Sequence, residues 1–129
     1  MNIIFFGSPS YSSNVLSYLV SSKHSVKAVV TQDIKTSKKR KDVKTPVGIF
    51  SEQCNIQTYY PNNLSDSKFI QTLKNSESDI FVIYAYGKIL PKELIGIPKY
   101  GVINIHCSLL PKWRGAAPIQ RSIMNLDKE

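Results

Sequence analysis

Short unbroken apolar runs alternate along this chain with stretches in which apolar residues recur at helical spacing, and that alternation predicts the order of elements. Ile3 to Phe6, closed by Gly7 and Pro9, predicts a buried first strand. Val15, Leu16, Leu19 and Val20 then fall on one helical face. Val26 and Ala28 to Val30 predict a second strand, and the polar stretch Thr31 to Thr45 is expected to be a loop. Pro46 suits the first turn of a helix running through Phe50 and Glu52, because its fixed φ and missing N–H cost nothing there. Ile56 to Tyr60 predicts a short third strand ending at Pro61. Ser65 is the expected N-cap of a helix carrying Phe69, Ile70 and Leu73. Asp79 to Tyr84, apolar through its middle, predicts a fourth strand buried on both faces. Lys88 to Leu94 suggests a short helical turn interrupted by Pro91, and Gly101 to Ile105 a fifth buried strand. Gly115 opens an Ala-Ala-Pro-Ile-Gln run that reads as a last helix.

Strands alternating with helices predict an α/β fold: a Rossmann-like, mostly parallel sheet with helices on both faces. In such sheets ligands bind beyond the carboxyl ends of the strands, where the strand order reverses. Gly7, Tyr86-Gly87 and Asn104 to His106 all lie at or near such ends, so three loops are expected to converge on one crevice. Gly7 invites comparison with the dinucleotide fingerprint, but no second or third glycine follows, so nucleotide binding there is not expected.

Composition narrows the function classes. At 129 residues, 42% of them apolar, the chain has one domain's worth of sequence and enough to bury a core. No apolar run approaches membrane-spanning length and no basic leader precedes Ile3 to Phe6, so neither a membrane partner nor a secretory signal is expected. Cys54 and Cys107, without metal-ligand spacing, predict free thiols in a reducing cytoplasm and no metal site. The net charge of +8 is uneven: Lys35, Lys38, Lys39, Arg40, Lys41 and Lys44, offset only by Asp42, carry +5 of it. Such a run is either a solvated loop or a grip on a polyanion, since clustered cations release counterions from a phosphate backbone.

The candidate chemistry lies in GVINIHCSLLPKWRGAAPIQRSI, Gly101 to Ile123. Two residues apart on a strand, Asn104 and His106 share a face. A neutral amide and an imidazole side by side can polarise a carbonyl and move a proton at neutral pH. A histidine on a strand is also commonly a plain hydrogen-bonded structural residue, and both readings stand on spacing alone. Leu109 and Leu110 read as core, with Pro111 fixing the loop. Trp113 is expected to pack under that loop and Arg114 to hold a carboxylate or phosphate.

This segment resembles the signature of the folate-dependent formyltransferases, and SLLPKWRGAAPIQ is similar to the spelling in the branch whose acceptor is methionyl initiator tRNA. The resemblance extends over nearly the whole chain; Ser8 stands where the family usually has threonine, and Tyr11 where it usually has phenylalanine. It implies transfer of a formyl group from 10-formyltetrahydrofolate to the amino group of methionine on that tRNA. Asn104 and His106 would be catalytic. Tyr86, Gly87, Lys88, Ile89 and Leu90, with Ser108, Leu109, Leu110 and Pro111, would line the folate site. Lys38, Lys39, Arg40, Lys41 and Arg114 would grip tRNA; no DNA partner is implied. A third family residue, an aspartate orienting the histidine, is expected on a later strand, so residues 1–129 are read as the N-terminal part of the catalytic domain, without the C-terminal β-barrel domain and with the sheet incomplete at its C-terminal end; Asp127 is not taken for that aspartate. Rival readings are another formyltransferase or hydrolase using the same donor, and a non-catalytic folate- or RNA-binding fragment.

Overall fold

The computed structural model describes residues 1–34 and 43–127. These form seven strands and five helices: β1 Asn2–Gly7, α1 Ser10–Val20, β2 Ser25–Val30, β3 Asp33–Ile34, β4 Val43–Lys44, α2 Pro46–Gln53, β5 Thr58–Tyr59, α3 Ser67–Lys74, β6 Ile80–Tyr84, α4 Lys92–Ile95, β7 Val102–Ile105 and α5 Pro118–Met124. Five strands make one parallel sheet in the order β5-β2-β1-β6-β7, and β3 pairs antiparallel with β4 in a separate ribbon. The chain winds outward from β1 through β2 to β5, then returns to lay β6 and β7 on the other side of β1. The order therefore reverses between β1 and β6, the position at which doubly wound sheets form their ligand crevice.

The unbroken run Ile3 to Phe6 is explained by burial on two faces, since successive side chains of a strand alternate. Ile4 and Phe6 join Ala28, Val30 and Phe81 under Leu73 of α3 and Leu94 of α4. Ile3 and Phe5 join Val29 and Val82 under Leu16 of α1 and Val47 of α2. Helices thus cover both faces. Cutting a fully buried ring such as Phe6 back to alanine costs about 3–5 kcal/mol by transfer plus cavity.

Several boundaries differ from expectation. Within the expected Thr31–Thr45 loop stands the β3–β4 ribbon, seeded where Asp33 pairs with Lys44. The α3 cap is Asp66, whose carboxylate accepts from Phe69 N at 2.9 Å, and not Ser65. The turn expected from Lys88 begins only after Pro91, which sits extended at the N-cap of α4. Gly115 has φ +108°, outside the helical region, so α5 starts at Pro118, its first residue. The third strand pairs over Thr58 and Tyr59 alone.

The largest correction concerns β7. It was expected to be buried, yet Ile103 and Ile105 are 53% and 38% exposed. Among the described residues β7 has β6 on one side only, and of its apolar residues only Val102 packs on a core. Leu109 and Leu110 are likewise exposed, at 81% and 57%, and α5 has no buried residue.

Candidate functional site

The crevice is built on side chains that tie the ends of β1 and β6 together. Ser12 in α1 donates its hydroxyl to the Tyr84 carbonyl at 2.6 Å. Gly7 ends β1 between these partners: a Cβ there would lie 2.7 Å from Phe5 Cε1 and 3.0 Å from the Tyr84 carbonyl oxygen. Beyond Tyr84 the chain turns through two left-handed residues, Ala85 and Gly87, at φ +50° and +84°. Between them the Tyr86 carbonyl accepts from Ser8 Oγ at 3.3 Å and from Gln32 Nε2.

Tyr86, expected to line the folate site, has its ring buried in the core, edge-on to Phe6 at 5.5 Å. Burial pushes its phenol up to about 12, and among the described residues the hydroxyl oxygen has no hydrogen-bond partner. The ring of Tyr86 thus pegs the loop to the core, while its carbonyl is held by Ser8 and Gln32. Gly87, Lys88 and Ile89 are exposed, Ile89 at 95%, before Leu90 returns to the core. Lys88 Nζ donates to the Pro61 carbonyl at 3.2 Å, bracing the loop against the end of β5.

Asn104 lies in register with Ile83 on β6, its side chain exposed. His106, one residue past β7, is half-buried and held at both ring nitrogens: Nδ1 lies 2.9 Å from Ser108 Oγ, and Nε2 3.1 Å from the Gly115 carbonyl oxygen. Ser108 Oγ in turn donates to the Lys112 carbonyl at 2.7 Å. The Cys107 thiol donates to the Tyr84 hydroxyl at 3.7 Å. That contact, with some burial, raises the Tyr84 phenol above its ordinary value, and Tyr11 stands edge-on to it at 5.4 Å.

The loop after His106 closes on Asp127. Trp113, itself left-handed at φ +54°, donates its indole N–H to Asp127 Oδ2 at 2.6 Å, and Lys112 Nζ lies 3.6 Å from the same oxygen. Hydrogen bonds from Asn125 and then Trp113, with Lys112 beside them, hold the Asp127 carboxyl below its usual range. A cavity of 300 Å³ opens among Cys107, Ser108, Leu109, Lys112, Trp113, Ser122 and Asp127. A second, of 410 Å³, lies apart at Tyr59 to Asn63, Asp66 and Phe69.

The structure therefore brings Asn104, His106 and Ser108 to the carboxyl end of β7, next to the 86–90 loop that follows β6. Leu109, Leu110 and Pro111 stand exposed on the same loop, and so does Arg114. Lys38, Lys39, Arg40 and Lys41 lie outside the described residues. Gln32, Ser12 and the Asp127 latch escaped sequence reasoning, because nothing in their local pattern says which carbonyl or indole they meet. Among the described residues no three His, Cys, Asp or Glu side chains are grouped to hold a metal ion.

Fold and site together define a Rossmann-like α/β domain with an amide and a clamped imidazole beside its switch-point crevice. A family model described as formyl transferase matches residues 1–129, and the chain belongs to that family. It is 51% identical over 130 residues to a methionyl-tRNA formyltransferase of Prochlorococcus marinus strain MIT 9312, covering 99% of this chain and 40% of that protein. A protein of the same name from Wolbachia sp. subsp. Drosophila simulans strain wRi is 48% identical, with 100% and 44% covered. The chain thus spans about two-fifths of the length of these relatives. Among solved structures, a phosphoribosylglycinamide formyltransferase from Bacillus halodurans superimposes with a TM-score of 0.73 at 19% identity, covering 97% of this chain and 66% of that one, a likeness of fold.

Proposed function

We propose that this chain carries the Asn–His part of a formyl transfer from 10-formyltetrahydrofolate to the amino group of methionine on initiator tRNA, in the cytoplasm. The observation that carries the reading is the exposed Asn104 amide and, two residues on, a His106 ring clamped at both nitrogens, just ahead of the SLLPKWRGAAPIQ segment. The 48–51% identity to proteins named for that reaction supports the choice of acceptor.

Ile89, in the loop after β6, and Leu109 and Leu110, in the loop after β7, leave apolar surface exposed, and apolar surface with a few placed polar groups is what a flat, polar-edged donor selects. With the donor bound, the formyl carbon is the electrophile. The Asn104 amide N–H would hydrogen-bond its oxygen, where charge develops on attack by the amine. His106 would hold or yield a proton for the exchanging nitrogens. Lys38, Lys39, Arg40, Lys41 and Arg114 would pair with acceptor-strand phosphates, so that affinity falls steeply with salt.

The test is formyl transfer to methionyl initiator tRNA by this chain, beside the same chain continued with the remaining sequence of the Prochlorococcus relative. His106→Ala and Asn104→Ala in the active form are each expected to lower kcat by roughly a hundredfold or more. Turnover within a few-fold of the parent in either variant removes that residue from the mechanism. Silence of both parent forms toward the tRNA, with a folate analogue still bound, points to another acceptor or a binding role.

A further inference from the structure

The hydrogen bonds around His106 say more than that the ring is clamped. We propose that Ser108 is a positioning residue whose hydroxyl keeps the histidine's permanent hydrogen on Nε2 and lets the ring take up and release its second proton at Nδ1 without turning. The Gly115 carbonyl can only accept, so the 3.1 Å contact places a hydrogen on Nε2 whatever the charge of the ring. A serine hydroxyl has one hydrogen and a free rotor, and here it has two partners, His106 Nδ1 at 2.9 Å and the Lys112 carbonyl at 2.7 Å.

When the ring is charged, Nδ1–H donates to Ser108 Oγ, and the hydroxyl hydrogen goes to the Lys112 carbonyl. Every group is then satisfied. When Nδ1 gives up its proton, the hydroxyl rotates and donates to the bare nitrogen, and the Lys112 carbonyl loses that donor. The ring itself keeps its place, and the proton passes between Nδ1 and water or bound substrate as the Ser108 hydroxyl swings off that nitrogen and back. The ring's charge is thereby linked to one carbonyl of the 108–115 loop, and the nitrogen that exchanges protons is Nδ1. Gly115 belongs to the same device, because its φ of +108° aims the carbonyl that fixes Nε2.

The state of the ring follows from geometry alone; its value in catalysis rests on the formyl-transfer reading, so two arms separate them. The first is ¹⁵N NMR of ring-labelled chain, with His24→Gln to assign the two histidines, read on the high-pH plateau where the ring shifts no longer change. A neutral ring protonated on Nε2 alone is expected. In Ser108→Ala the two nitrogen shifts are expected to move toward one another as both tautomers populate, and Ser108→Thr to keep the parent pattern. An Nδ1–H ring in the parent, or a Ser108→Ala spectrum superimposable on it, overturns the inference. Backbone amide spectra check that the variants fold, and the parent spectrum is decisive by itself. The second arm is kinetic, in the active extended form: Ser108→Ala is expected to lower kcat about tenfold or more with folate KM little changed, and threonine to restore it. A rise in KM alone returns Ser108 to a folate contact. A predicted NMR pattern without any transferase activity leaves the ring geometry standing and removes the function.

Discussion

Replacing Gly87 by alanine tests the frame of the crevice, because the structure assigns it two separable costs. Gly87 sits at φ +84°, where a side chain is strained, and a Cβ built there would lie 2.6 Å from Gln32 Nε2. Nothing else falls within 3.4 Å, and the next atom, Gln32 Cδ, is 3.9 Å away. Left-handed backbone costs an L-residue about 1–2 kcal/mol. The amide can swing aside, but only by releasing the Tyr86 carbonyl, a hydrogen bond worth about 0.5–1.5 kcal/mol. Gly87→Ala is therefore expected to destabilise by about 1.5–3.5 kcal/mol. In a Gln32→Ala background the clash and the bond are both gone, so the same change is expected to cost only the backbone part, about 1–2 kcal/mol. Urea unfolding followed by circular dichroism, applied to the four members of the cycle, reads the difference. Equal costs in both backgrounds, within the roughly 0.3–0.5 kcal/mol of ordinary additivity, would refute the packing of Gln32 under the loop.

Tyr86→Phe is expected to be neutral or stabilising by up to about 1 kcal/mol, since it removes a buried hydroxyl without a described partner; thermal unfolding checks it, and a clear loss of stability would mean the hydroxyl is satisfied. The only tryptophan, Trp113, donates to Asp127, so its fluorescence is expected to titrate at acid pH, below that carboxyl's ordinary value of 3.8, and Asp127→Asn to abolish the step. Glu52 is held below its ordinary 4.5 by Lys44 first and then by the Tyr60 hydroxyl. A depressed carboxyl favours the folded state above its unfolded value, so this contribution is full above about pH 4.5 and is lost as pH falls through the lower native value; Glu52→Gln is expected to flatten that part of the stability profile measured by urea midpoints, and an unchanged acid slope would show the pair contributes nothing.

Strand and helix order and the doubly covered sheet were legible because burial on two faces writes itself as continuous apolar runs, and helical faces as a periodicity. The placement of Asn104 and His106 at the end of β7 was legible for a related reason, since a spacing of two on a strand end is a local property. The helix boundaries were less so. Ser65 and Asp66 are both good caps, and only the carboxylate's reach to Phe69 N separates them. The burial of the Tyr86 ring was not legible, because an aromatic after a strand has the same appearance whether its ring enters the core or stays outside it.

The sequence by itself determined which residues are apolar, at what period, and which carry an amide, an imidazole or a cluster of charge. Those are one-dimensional properties and survive without coordinates. Only the tertiary structure decided what each polar atom meets. Gln32 reaches a carbonyl 54 residues away, Ser12 one 72 residues away, and Ser108 stands between a histidine nitrogen and a loop carbonyl. It also decided that Ile103 and Ile105 are open on β7 while Ile3 and Ile4 are sealed in β1. The physical reason is the same throughout: burial and hydrogen bonding depend on what packs alongside, and a strand's neighbours are set by the winding of the sheet rather than by its own residues.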